Sequence, residues 1–427
     1  MKKVLKWYKL DNAAKLYPML ITKNSQSLFR ISVLLLEEVN EGQLKQALND
    51  IMPRFPSFAV KLRSGLFWYY FEENNRPVKV FTDDGIMLKP IDVAQTNYYW
   101  FRVSYFSRKI NLEMFHAISD AGGGMQFLKA LLHRYFTLGG QEIGNDNVMS
   151  LLDEPTENEV EDSFQTQYQK TKLKDMDLKS FTGKAPMNLT GTLFNGQGYG
   201  SIFGTMSVEQ VKAKAKEYGT NLNAFLCAML IVSIVKTYGV KSKQKPIIMM
   251  IPVDLRRLYG NISLRNFVLF TRLTITPTID KTLEDYIKEC DEQLKIGTKK
   301  ESMQSQLNTT VRSEKTLIFK LMPLPLKFLA FKLGKIFLKS RQTIIFSNLG
   351  KVALPQNMKI DKMVLGINVG RNAPLNAGAV AVGDKLVVSF TRDIIETEVE
   401  RNFFTALVKL GINVKVASNF REEQNVL

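Results

Sequence analysis

A histidine, an aspartate four residues on and three glycines close behind make residues 111–124, NLEMFHAISDAGGG, the most chemically suggestive stretch of this 427-residue chain. An imidazole titrates near neutral pH, so His116 is a candidate general base. Gly122, Gly123 and Gly124 would let backbone or ligand come close. The same residues also fit a plainer reading, in which a His–Asp pair caps or braces a loop and the glycines only start a helix. The chain offers little else. It has two histidines (His116, His133) and two cysteines (Cys227, Cys290), too few and too scattered for a disulfide framework or a zinc site. No metal is therefore expected. GxxxxGK[ST], GxSxG and HExxH are all absent. Gly196, Gly198 and Gly200 precede a strand rather than joining strand to helix, so they are no nucleotide fingerprint.

The elements that must position His116 follow from periodicity. Residues 111–116 read as a strand hairpinned to 100–106 across polar 107–109, which leaves His116 at a strand end, where α/β proteins place chemistry. Leu128, Leu131, Leu132, Tyr135 and Phe136 then mark one helical face, stopped at Gly139-Gly140. Upstream, FRISVLLL is a buried strand, Leu44, Ala47, Leu48 and Ile51 recur at helical spacing, and Pro53 and Pro56 end that helix. FAVKLR, LFWYYFEE and PVKVF are short strands. Residues 141–169 are acidic without one basic residue, the best candidate for an inter-domain linker. The second half restarts with a strand, SIFGTMS. Ser207 then caps a helix with Gln210 in capping-box position, and Asn221 opens a helix apolar on most sides. PIIMMIPVDL, FVLFTRLTIT and segments 343–347, 363–369 and 386–390 are further strands, with helices from 282 and 396. The class is mixed α/β (α+β), in two halves, 1–172 and 173–427.

Composition bounds the partners. Hydrophobic residues are 45 % and charged residues 23 %, enough for a sizeable core. Fifty-eight basic against 41 acidic residues leave +17, which suits an anionic partner. The basic residues are dispersed and no recognition motif accompanies them, so no nucleic acid is expected. The basic N-terminus lacks an apolar h-region and the longest apolar runs fall short of a membrane span; with so little cysteine, a cytoplasmic protein is expected. Residues 317–339 are both apolar and basic. Lys327, Lys332, Lys335 and Lys339 fall broadly on one side of a helix, which points either to peripheral membrane contact or to a packed helix with solvated lysines. His133, beside Lys129 and Arg134, reads as a solvated surface residue, and Cys227 as a small core residue.

HAISDAGG resembles the HxxxDG motif of the coenzyme-A-dependent acyltransferases of the chloramphenicol acetyltransferase fold, with Ala121 where many members have glycine. KWYKLDNAAKLYP, IMPRFPSF, LRSGLFWYYFEEN, IPVDLRRLYG with LRNFV, and IIFSNLGKVALP resemble the alcohol acetyltransferase branch, in the expected order and over nearly the whole chain. The DFGWG motif of plant and peptide-synthetase members is missing. The resemblance implies two acetyltransferase-like halves enclosing a tunnel, working as a monomer. His116 would be the base for attack of an alcohol (or amine) on acyl-CoA, with no bound cofactor. Asp120 would hold loop geometry by pairing with an arginine, Arg54 first and Arg256 second. Gly122 and Gly123 would support the turn. Ser347 and Asn348 would stand where wax ester synthases carry an asparagine motif, as a tunnel brace or substrate contact. A wax-ester or glycolipid acyltransferase and a non-catalytic binding relative remain as alternatives.

Overall fold

The computed structural model describes residues 6–22, 25–170, 185–194, 198–241, 245–316, 320–337, 342–370 and 373–419, with side chains except those of 331–337. The first half follows β1 (Trp7–Lys9), β2 (Leu28–Leu35), α1 (Glu41–Ile51), β3 (Val60–Ser64), β4 (Tyr69–Glu73), β5 (Val80–Thr82), β6 (Phe101–Phe106), β7 (Lys109–Phe115) and α2 (Ala121–Leu138). Seven of the eight residues of β2 are buried because it sits inside a sheet of order β12-β2-β7-β6-β5, in which β12 is Ile360–Ile367. α1 and α2 cover that sheet, and Leu44, Leu48, Phe127 and Leu131 join its strands in one core. Asn40 caps α1 by accepting from the Gln43 N–H. The β6–β7 hairpin turns at Ser107, with φ +50°. A smaller sheet, β1-β4-β3, stands beside it.

The second half adds β8 (Gly200–Ser207), α3 (Val208–Glu217), α4 (Leu222–Tyr238), β9 (Ile247–Asp254), β10 (Val268–Ile275), α5 (Leu283–Gly297), α6 (Lys300–Lys315), α7 (Leu324–Phe337), β11 (Ile344–Lys351), β12 (Ile360–Ile367), β13 (Leu375–Val382), β14 (Lys385–Arg392), α8 (Glu398–Lys409) and β15 (Lys415–Ser418). Its sheet has the order β10-β9-β11-β13-β14-β8-β15. α4 is apolar all round because its residues are buried on most sides. Ser207 caps α3 as its sequence implies, but Gln210 accepts from the Asn413 N–H instead of closing a capping box. Cys227 and Cys290 are buried and free, and His133 is half-buried rather than solvated.

One strand crosses between the halves. β12 pairs antiparallel with β2, Met363 opposite Val33, and so completes the sheet of the first half. Its other neighbours are β13 and β14, where Ser389 Oγ donates to the Leu365 carbonyl at 2.5 Å. A Cβ on Gly378 would lie 2.8 Å from that carbonyl, so the contact needs glycine.

The acidic run after α2 is not a free tether. Glu159 is buried and grips Arg54 in a fork, at 2.5 and 2.8 Å. Its carbonyl accepts from Leu264 N–H, and Asn261 and Ser263 hold Glu161. Arg54 therefore does not meet Asp120, contrary to the sequence expectation. The turn Met52–Arg54 that ends α1 carries it to Glu159 and the Ser150 carbonyl. Arg54→Ala would strand a buried carboxylate and is expected to cost ~3–5 kcal/mol of stability, measured by denaturant unfolding.

Candidate active site

His116 follows directly on β7, and its N–H is bonded to the Ser27 carbonyl beside β2. The half-buried ring is stacked on Tyr17, centroids 4.6 Å apart and planes 22° apart, and meets Phe29 edge-on at 5.4 Å. Its Nδ1 lies 3.0 Å from Oδ1 of Asn266. The other end of that amide is fixed, because Asn266 Nδ2 donates to Asp11 Oδ2 at 3.2 Å. Asp11 is fully buried and also accepts from the Ala14 and Asn266 backbone N–H groups. With Nδ2 committed to a carboxylate, Asn266 presents an acceptor to the ring. His116 must then carry its proton on Nδ1, and Nε2 is left as the basic nitrogen. No hydrogen bond to Nε2 forms among the described residues.

Burial is the largest influence on His116 and lowers its pKa; Asp120, Asn266, its own backbone carbonyl and Asp11 oppose this without overturning it. The imidazole is thus neutral at pH 7. Burial likewise raises Asp11, against the pull of Arg265, and raises the Tyr17 phenol, which stays protonated beside the ring.

Asp120 serves the turn. Its Oδ1 caps α2, accepting from the Gly122 and Gly123 N–H groups at 3.0 and 3.1 Å. Its Oδ2 accepts from the Phe267 N–H at 2.8 Å and from Arg256 Nη2 at 3.0 Å. Arg256, the second-choice partner, also holds Asp254 and the carbonyls of Ser263 and Arg265. Gly123 is obligatory for packing: a Cβ there would lie 2.1 Å from the Leu264 carbonyl and 2.2 Å from Ser119 Oγ.

Ser347 and Asn348 lie on β11 and take no part in these contacts. Asn348 donates to Asn223 at 2.6 Å and accepts from the Gly350 N–H, so it ties β11 to the start of α4. Asn266, Asp11 and Tyr17 were not singled out from sequence. All three sit in the stretches KWYKLDNAAKLYP and LRNFV, so the signal was present in the motifs without a role for each letter. Two surface cavities, of about 360 and 200 Å³, lie elsewhere, beside Val235 and Tyr286 and beside Tyr135 and Gly139.

Asp120→Asn is expected to lose ~1–3 kcal/mol in denaturant unfolding, since it removes one of the two carboxylates that hold Arg256 and weakens the charge-assisted cap of α2. An Asp120→Asn protein that unfolds like wild type yet is inactive would place Asp120 in the chemistry instead.

No family model and no curated protein matches the sequence. Solved structures do. Polyketide synthase associated protein 5 from Mycobacterium tuberculosis superposes with a TM-score of 0.63 at 12 % identity, over 94 % of this chain and 97 % of that one. TRI3 trichothecene 15-O-acetyltransferase from Fusarium sporotrichioides gives 0.62 at 10 % identity, over 94 % of each chain. The starter condensation domain of rhizomide synthetase RzmA, in a mutant complex with C8-CoA, gives 0.62 at 12 % identity, over 95 % of each. Across nearly its whole length, the chain has the mixed α/β two-lobed fold shared by these acetyltransferase and condensation-domain structures.

Proposed function

We propose that this protein is an acyl-CoA-dependent O-acyltransferase with His116 as its general base. The observation that carries the reading is the Asp11–Asn266–His116 chain, which holds the ring with Nδ1 protonated and leaves Nε2 without a partner among the described residues. Nε2 takes the proton of an acceptor hydroxyl, and the oxygen attacks the thioester carbonyl carbon. The tetrahedral intermediate collapses with cleavage of the C–S bond. The imidazolium returns its proton to the leaving sulfur, giving ester and free CoA thiol. No covalent enzyme intermediate, metal or bound cofactor is needed. The complex of a similar fold with C8-CoA supports an acyl-CoA donor, and the excess of basic residues suits its phosphates. His116 and Asn266 come from opposite halves of one chain, which favours a monomer as the working unit.

Thiol release from acyl-CoA in the presence of alcohols tests this. His116→Ala should lower the rate by about 10²–10⁴-fold with unchanged unfolding. Equal thiol release by wild type and variant would sink the assignment and leave a binding relative of the fold. Because burial lowers the His116 pKa, kcat/KM should be level at pH 7. It should fall on acidification only through a pKa below the ordinary 6.5, as Nε2 becomes protonated.

Asn266→Ala removes the acceptor that sets the tautomer. It is expected to reduce kcat by about tenfold or more, less than the loss of about 10²–10⁴-fold for the base itself, and to change the acid limb of the pH profile. An unchanged limb together with unchanged kcat would reduce Asn266 to packing.

A further inference from the structure

The first half of α7, residues 324–330, is built the wrong way round for a helix lying on a protein body. A surface helix turns its apolar stripe inward and its charges outward. Here Lys327 is 1 % exposed, while Leu326 and Leu329 are 53 % and 52 % exposed and Phe328 and Leu321 are also exposed. Lys327 is drawn inward because Nζ donates to the Phe67 carbonyl at 2.8 Å and stands 3.5 Å from the centre of the Trp68 ring. The β3–β4 turn that supplies those partners adds its own apolar tip. Leu66 is 70 % exposed, its carbonyl accepts from the Leu324 N–H, and Phe67 follows it. Two elements far apart in sequence thus present one apolar face of leucine and phenylalanine, an arrangement soluble surfaces rarely leave uncovered.

Charge decides what covers it. From Lys315 to Lys339 the sequence has six lysines and no aspartate or glutamate. Lys315 and Lys320 are exposed at the start of this stretch. Glu314, the nearest acid, is tied to Lys15, so an apolar face beside the exposed Lys315 and Lys320 matches the interface of an anionic bilayer, where leucine and phenylalanine enter the acyl boundary and lysines meet the head groups. No single helix among the described residues is long and apolar enough to cross a membrane. We infer that α7 and the β3–β4 turn form a docking face by which the protein lies on an anionic phospholipid surface. The face adjoins the site. Lys15 stands 5.6 Å from the Trp68 ring, and Tyr17, two residues on, stacks on His116. Resting on Proposed function, this position would let an acceptor or acyl chain reach His116 from the bilayer. The docking itself is independent of that reading.

The experiment is sedimentation of the full chain with phosphatidylserine–phosphatidylcholine vesicles and with phosphatidylcholine alone, in about 0.1 M and 0.5 M salt, where screening differs strongly. Wild type should sediment with the anionic vesicles, several-fold less in high salt and least with phosphatidylcholine alone. The L326E/L329E variant should lose binding by about tenfold or more, with unchanged melting and unchanged turnover of a soluble short-chain acyl-CoA and alcohol. Phe328→Ser, a milder change, should lose part of it. Wild type staying in the supernatant, or the double variant sedimenting like wild type, overturns the inference. A wild-type dimer that L326E/L329E converts to a monomer, without vesicle binding, also overturns it and assigns the face to a second copy of this chain. Because sedimentation does not depend on turnover, failure of docking and failure of the acyl-transfer reading are told apart.

Discussion

Five residues of the second half, 263–267, form the strip on which the site depends. Four backbone groups of the strip and the polar side chains of Ser263, Arg265 and Asn266 reach into the first half. Leu264 N–H donates to the Glu159 carbonyl, and its own carbonyl takes the hydroxyl of Ser119. Arg265 donates to the carbonyls of Lys9 and Val160. Asn266 links Asp11 to His116, and Phe267 N–H closes on Asp120. The N-terminus of α2 can come this close because position 123 carries no side chain. The histidine is thus oriented by a segment 150 residues away in sequence, and each half alone would lack part of the setting.

The charges around this strip are arranged so that the base stays uncharged. Asp120 lies four residues from His116, yet its four hydrogen bonds go to two glycine amides, the Phe267 amide and Arg256. Asp120 is the largest of the influences that favour a proton on the imidazole, but burial outweighs it and lowers the His116 pKa. Asp11 acts at one remove, orienting the ring through the Asn266 amide, and its charge is the smallest of the influences that oppose burial. A direct carboxylate contact would have favoured the imidazolium, which is useless as a base.

Local features were legible in the sequence and partner choice was not. The His116 strand end, the Asp120 turn and the α2 start lie within a dozen residues, and a hairpin followed by a capped helix leaves them one arrangement. Which arginine meets Asp120 depends on where Glu159 sits. The acidic run that contains it looks like a linker until its carboxylate is seen buried against Arg54. Asn266 was hidden for a different reason: an amide has no titration signature, and its importance lies in which end faces the ring. In α7, the lysines at helical spacing imply an outward basic face. Because apolar residues surround Lys327 in sequence, periodicity alone cannot say that Trp68 draws it inward.

β12 has a consequence for how the molecule is made. The sheet of the first half is finished only by residues 360–367, so the β2 edge stays bare while most of the chain leaves the ribosome. β2 is an apolar strand with open hydrogen-bonding groups, the kind of edge that recruits other chains. During synthesis, the interval between residue 35 and residue 360 is when this protein is most exposed to mispairing. Its yield in a cell depends on what shields that edge during the wait.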